Sequence, residues 1–268
     1  MRGLGKLTTF ARCAAALGRT PTERVAIFWR LTKNLRARLR LATHHPEQIY
    51  AIDTALGRAY LRDNVGDITN LWGLWVNDVY RVREMRDPED RRGAVLDVGA
   101  NIGLFAAWAA KHLPGTTIHC FEPLPSNIPV IERNCPEARI CAAGLGRAPQ
   151  RVRMHVDLHG SIASRADTRW DTRDFEFDVI PLDEYVRGQG ITEVAMLKMD
   201  VEGMETDVLD GALETLRRTR RVAVETHGPE QHEGVLQRLR GAGFAIEDVV
   251  REGATGMVYA RRTAVPAA

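Results

Sequence analysis

The sequence predicts an α/β fold on a doubly wound, mostly parallel sheet, and three features carry that expectation. From residue 93 onward, short apolar β-type runs alternate with helical segments. A strand-loop-helix unit containing Gly99 and Gly103 opens this region, and two more β-type runs follow the last helix. Alternation of this kind covers a parallel sheet with helices on both faces, and a closing pair adds an antiparallel strand at one edge. The expected organisation is a basic helical segment over 1–45, a helical and aromatic element over 46–92, and the α/β domain over 93–263.

Within 1–45, apolar and small residues recur at helical spacing through Leu4, Leu7, Phe10 and Ala14, then Val25, Phe28, Leu31, Leu35 and Leu39. Two helices are expected, with Thr22 capping the second. This segment holds ten Lys or Arg against one acid, Glu23, a charge of +9, whereas the rest of the chain carries −7. Solvated arginines on a helical lid or docking hairpin are the first reading of that charge. Contact with an acidic membrane surface, a polyanionic substrate or a partner is the second. In 46–92, Trp72, Trp75, Val79 and Val82 are spaced to share one helical face, as core or as a wall of a substrate pocket. Strands are then expected at 94–98, 117–121, 139–142, 151–156, 179–182, 194–199 and 222–225. Helices are expected at 104–112, 126–134, 205–218 and 230–242, and the closing antiparallel pair at 244–250 and 257–260.

An apolar content of 44% supports a packed core. No apolar run approaches the ~18 residues of a membrane-spanning helix, and Arg12 interrupts the stretch a secretory signal would need. Cys13, Cys120, Cys135 and Cys141 show neither a CxxC pair nor metal-ligand spacing. The expectation is a soluble cytoplasmic protein with reduced thiols.

Three pieces carry chemistry. The first is Val95-Leu-Asp-Val-Gly-Ala-Asn-Ile-Gly-Leu-Phe105, a strand that runs through a glycine loop into a helix. Ligands of such sheets bind at the carboxyl ends of the strands. The glycines are spaced G-x-x-x-G, and an acid, Asp97, precedes the first. A dinucleotide loop receives pyrophosphate at the helix N-terminus, and an adjacent carboxylate would repel that anion. S-adenosylmethionine, a nucleoside with a sulfonium and an ammonium and no phosphate, suits the carboxylate better. The second piece is Glu122 in Cys120-Phe-Glu-Pro-Leu-Pro-Ser-Asn127, 19 residues beyond Gly103. A carboxylate there can accept both ribose hydroxyls in a fork, although alone it also reads as an ordinary acid at a helix start. The third is the run from Leu197 to Ala212, where a buried strand ends on Lys198, Asp200 and Glu202 before Gly203 turns the chain. Lys198 either neutralises one of these acids or serves the site.

Together, D-V-G-A-N-I-G, F-E-P-L-P-S-N and L-K-M-D-V-E-G-M-E with the following V-L-D-G-A resemble the FkbM methyltransferase family. The stretch from Asp67 through Tyr80 is similar to that family's element ahead of the domain, so the likeness spans roughly 60–260. The resemblance implies a Rossmann-like class I methyltransferase fold. It also implies methyl transfer from S-adenosylmethionine, usually to a hydroxyl of a sugar or secondary metabolite. Carried onto this chain, Asp97, Gly99, Asn101 and Gly103 would surround the methionine moiety, Glu122 would bind ribose and Asn127 would lie near the adenosine. Asp200 and Glu202 would face the methyl donor and acceptor, and Ser161 resembles a serine position ahead of the later strands. After the fifth strand, where the family often has a hydrophobic residue with a carboxylate-like partner, this chain reads Val224-Glu-Thr-His-Gly228.

Methyl transfer needs the acceptor atom in line with the S–CH3 bond and water kept out, and an aliphatic hydroxyl needs a base. Asp200 and Glu202 from one strand end, with Glu225 and His227 from the next about 4.8 Å away, are the candidates. His227 has the ordinary pKa best placed for the task, and Asp200 is the alternative base. Asp200, Glu202 and Glu225 could also serve a hard divalent cation, although their spacing does not require one. An N- or carboxyl methyltransferase would keep the cofactor site and change the acceptor. A nicotinamide-dependent oxidoreductase would share the strand-loop-helix and Glu122 but needs a glycine triplet this chain lacks. A nucleic-acid methyltransferase would use the basic arm, but no D-P-P-Y-type tetrapeptide is present, so no nucleic-acid partner is expected. A non-catalytic binder would have no need of Asp97, Glu122 and Asp200 together.

Overall fold

In the computed structural model, residues 2–32, 48–63, 65–157 and 172–262 are described. Contacts group the chain into two compact units, one of residues 1–79 with 158–161 and one of residues 80–157 with 162–268. Among the described residues, no helix is long and apolar enough to cross a membrane.

The first unit contains the helices Arg2–Leu17 and Pro21–Leu31. The second is capped by Thr20 and not by Thr22. Thr20 Oγ1 accepts the Glu23 amide at 3.2 Å, and the Glu23 carboxylate accepts the Thr20 amide at 3.0 Å. Pro21 then occupies the first helical position, where its missing N–H costs nothing. Strands β1 (Ile49–Thr54) and β2 (Gly57–Arg62) pair as an antiparallel hairpin that the helical reading of 46–92 did not anticipate. Gly57, at φ +141°, closes its turn, and the alternation Tyr50, Ile52, Thr54 was the missed signal. The tryptophans do not sit on one regular helix face. A π-helical turn, Trp72–Val76, buries Trp75, while Val82 is buried in a separate 3-10 turn, Val82–Glu84.

The second unit is built on β3 (Ala94–Val98), β4 (Thr117–Phe121), β5 (Arg139–Cys141), β9 (Val194–Met199), β10 (Thr219–His227), β11 (Phe244–Glu252) and β12 (Thr255–Arg262). They form a seven-stranded sheet in the order β11-β12-β10-β9-β3-β4-β5. Strands β3, β4, β5, β9 and β10 are parallel, while β12 runs antiparallel to both its neighbours. Strands β3 and β9 are buried at every position, as expected for central strands covered on both faces. On one face, Leu96, Val98, Leu197, Met199, Val222 and Val224 pack under residues of the helices Leu182–Gly188, Glu205–Asp210, Leu213–Arg217 and Pro229–Gly241. Helix Leu104–His112 packs on β3 and β4 and buries Phe105 and Trp108 fully. Each such side chain contributes about 1.5–3 kcal/mol of burial.

A second sheet of this unit comprises β6 (Gly144–Leu145), β8 (Thr172–Ile180) and β7 (Gln150–Asp157), in that order. The strand expected at 179–182 ends at Ile180, and Leu182–Gly188 is a helix instead, with Asp183 and Glu184 in its first turn. The single helix expected over 205–218 breaks at Gly211. A Cβ there would stand 2.0 Å from the Gly146 carbonyl oxygen, so only glycine permits that approach.

Candidate active site

Strand β3 has β4 on one side and β9 on the other, while the chain reaches β4 first. This reversal opens a crevice at the carboxyl ends of the strands. Register decides what faces it. Asp97 lies opposite Lys198, and Lys198 opposite Ala223. Since side chains alternate along a strand, Asp97, Lys198, Glu225 and His227 share one sheet face.

Asp97 does not reach the crevice directly. It is 0% exposed, and its carboxylate lies 2.9 Å from the Lys198 ammonium. Burial pushes the Asp97 carboxyl up against the pull of Lys198. Burial also opposes the Lys198 charge, but Asp97 and Asp200 outweigh it and the ammonium is held. Lys198 further donates to the carbonyls of Gly99, at 2.6 Å, and Val98, at 3.3 Å, so the pair ties β9 to the glycine loop. Gly99, at φ +74°, is required by the protein's own packing, because a Cβ would stand 1.8 Å from the Asp200 carbonyl oxygen.

Glu122 is the organiser of the loop. Its Oε2 accepts the Asn101 amide at 2.8 Å and its Oε1 the Leu124 amide at 2.9 Å, and Asn127, buried behind it, adds a side-chain hydrogen bond. Burial lifts the Glu122 carboxyl to about 7 despite these donors. Asn101 itself adopts a left-handed backbone at φ +50°, and Gly103, at φ +76°, starts helix Leu104–His112. A cavity at this end of the sheet is lined by Gly99, Phe121, Glu122, Pro123, Ala143 and Asp200, with apolar side chains of the second sheet, Val152, Phe177 and Val179, on its far wall. Glu122 and Asp200 are the two ionisable groups on its lining.

Asp200, Glu202 and His227 come together as the sequence suggested. His227 Nε2 stands 3.5 Å from Glu202 and 3.9 Å from Asp200, while Nδ1 is 2.7 Å from Glu205. The hydrogen bond to Glu205 and the neighbouring acids raise the His227 pKa to about 9. Burial raises the carboxyls of Glu202 and Glu225, with Asp200 adding to the Glu225 shift. Two participants escaped sequence reasoning. Glu205 looks like an ordinary acid in a helix first turn, yet it is 0% exposed and grips the histidine. Tyr80, edge-on to Phe105, is buried where Asp200, Glu225 and Asp97 all add to the rise that burial gives its phenol. Ser161 and the basic residues 33–45 lie outside the described residues.

Residues 97–246 match the family described as "Methyltransferase FkbM domain". The chain is 30% identical to the 31-O-demethyl-FK506 methyltransferase FkbM of Streptomyces tacrolimicus, over 63% of this chain and 81% of that protein. It is 28% identical to the 2-O-methyltransferase NoeI of Sinorhizobium fredii, over 53% of this chain and 66% of that protein. Among solved structures, it is similar to precorrin-6y C5,15-methyltransferase of Geobacter metallireducens, with a TM-score of 0.44 and 11% identity over 70% of this chain and 89% of that one.

Proposed function

From the premise that this chain belongs to the FkbM methyltransferase family, and is thus a methyltransferase that uses S-adenosylmethionine, we propose that it methylates a hydroxyl of a sugar or secondary metabolite. The observation that carries this reading is the cavity at the carboxyl ends of β3 and β4, with Glu122 and Asp200 on one lining. The cofactor fits these residues. Each oxygen of a carboxylate accepts more than one hydrogen bond, so Glu122 can hold the loop amides and still receive ribose hydroxyls. Phe121, Pro123, Ala143 and Phe177 offer the apolar surface a purine needs. The names of the two relatives, a 31-O-demethyl substrate and a 2-O-methyltransferase, support oxygen as the acceptor atom.

When bound, S-adenosylmethionine supplies an electrophilic methyl on sulfur. The protein's part is to hold the acceptor in line, exclude water and take up a proton. Asp200 lines the cavity and meets the acceptor hydroxyl, orienting it and receiving its proton. Tyr80 is packed edge-on against Phe105, where burial raises its phenol and Asp200 lies close enough to raise it further. Glu225 and His227, on the same sheet face, set the field around that proton.

Calorimetric titration with S-adenosylhomocysteine tests the reading. Micromolar binding to the native chain, lost in Glu122→Ala, is expected. No binding to the native chain, with NADH bound instead, overturns it. Asp200→Ala is expected to keep the affinity for S-adenosylhomocysteine and lose roughly a hundredfold or more in turnover, the usual worth of a positioned base.

A further inference from the structure

We propose that Asp200, Glu202 and His227 bind one divalent transition-metal ion, with Glu205 holding the histidine ring from behind. One donor atom from each of the three lies within 4.8 Å of the others. The spacings of His227 Nε2, 3.5 Å to Glu202 and 3.9 Å to Asp200, are too long for good N–H···O hydrogen bonds. Among the described residues Nε2 makes no hydrogen bond at all, whereas Nδ1 is bonded to Glu205 at 2.7 Å. Two donors each ~2.1 Å from a common ion stand about 3.0 Å apart at a right angle, about 3.4 Å at a tetrahedral angle and about 4.2 Å across it. The two separations from Nε2 fall within that span.

The second observation is Glu205, which is not itself one of the three donors. Its side chain is 0% exposed, and Oε2 has no hydrogen-bond partner. Its Oε1 accepts the Gly203 amide at 2.9 Å and faces His227 Nδ1. A carboxylate buried this deeply is costly unless it serves a positive or polarised partner. Here it holds Nδ1 and turns Nε2 toward two further carboxylates. That is how metal-ligating histidines are usually oriented, with a carboxylate behind the ring. An ion bound there takes the place of a proton on Nε2, between the ring and the two carboxylates. One imidazole nitrogen and two carboxylate oxygens suit a divalent first-row transition ion, for which Mn2+ is a paramagnetic probe, better than an ion that takes oxygen alone. Only the use of the ion, polarising an acceptor oxygen beside Asp200, rests on the function proposed above.

The test uses the full chain stripped of metal, without cofactor or acceptor. Mn2+ is titrated in and the free ion followed by electron paramagnetic resonance. One ion per chain is expected, with binding abolished in His227→Gln and weakened roughly tenfold to hundredfold in Glu205→Gln. Because these variants could misfold, the native chain labelled with 15N-histidine supplies a second readout: Mn2+ should broaden the His227 ring signals before those of the other histidines. Failure of the native chain to bind Mn2+, or broadening that spares His227, overturns the proposal. S-adenosylhomocysteine affinity of the same sample is measured in parallel. Loss of Mn2+ binding alone sinks the metal site, and loss of nucleoside binding alone sinks the functional reading.

Discussion

Lys198 and Asp97 are cross-strand neighbours at a fully buried position, so neither charge has water to fall back on. Lys198→Met leaves a carboxylate without its cation and is expected to cost about 3–5 kcal/mol in urea denaturation. Adding Asp97→Leu should recover most of that loss, because a buried ion pair is worth little more than good apolar packing. If the two losses simply add, the pair is not the unit described. Gly99→Ala strikes the same loop by sterics. Its left-handed backbone alone costs about 1–3 kcal/mol, and the Cβ must displace the Asp200 carbonyl. Nucleoside binding and turnover should therefore fall together, which a kcat and Kd comparison would show. At this scale the sequence revealed identities better than roles. Asp97 was legible as an acid before a glycine, and charge reasoning aimed it at the ligand. Only the strand register shows it paired beneath the loop. Glu205 was invisible for the opposite reason, since acids in a first helical turn are commonplace and nothing local marks one that reaches across to another strand.

The helices and strands were read most reliably where a single periodicity ruled. Strands β3, β4 and β9 and helix Leu104–His112 stand at the limits their apolar runs suggested. Reading failed where tertiary contacts set the ends. The break at Gly211 answers to Gly146, which is far away in sequence, and the helix that follows is capped from outside. Asp183 accepts the amides of Glu214 at 2.9 Å and Thr215 at 2.7 Å, together with the Thr215 hydroxyl at 2.6 Å. Asp183→Ala is expected to destabilise the second unit by about 1–2 kcal/mol, as loss of an N-cap does. Asp183→Asn, which keeps an acceptor, should recover part of it. Equal losses in both variants by chemical denaturation would show that the charge, and not the cap, does the stabilising.

Across the whole molecule, the carboxyls fall into two groups with opposite pH behaviour. Asp210 is held low by hydrogen bonds from Arg238, and Glu176 by those from Arg153. What such groups contribute is present above their unfolded pKa and is lost as acid protonates them. Glu122 behaves in reverse. Burial raises it from 4.5 to about 7, so its contribution is complete below the unfolded value and is lost as the pH rises through 7. For this nearly fully buried group the swing is on the order of 3 kcal/mol. The protein without ligand is therefore expected to melt highest near mildly acidic pH and lower at pH 8, and Glu122→Gln should flatten that slope. A ligand that hydrogen-bonds the ionised carboxylate supplies what the buried site lacks. S-adenosylhomocysteine should accordingly raise the melting temperature more at pH 8 than at pH 6 and release a proton near pH 7 on binding. Calorimetry in two buffers of different ionisation enthalpy measures that proton. Equal ligand stabilisation at both pH values, with no proton released, would mean that the ribose does not meet Glu122, and the nucleoside would then have to be sought elsewhere along the crevice.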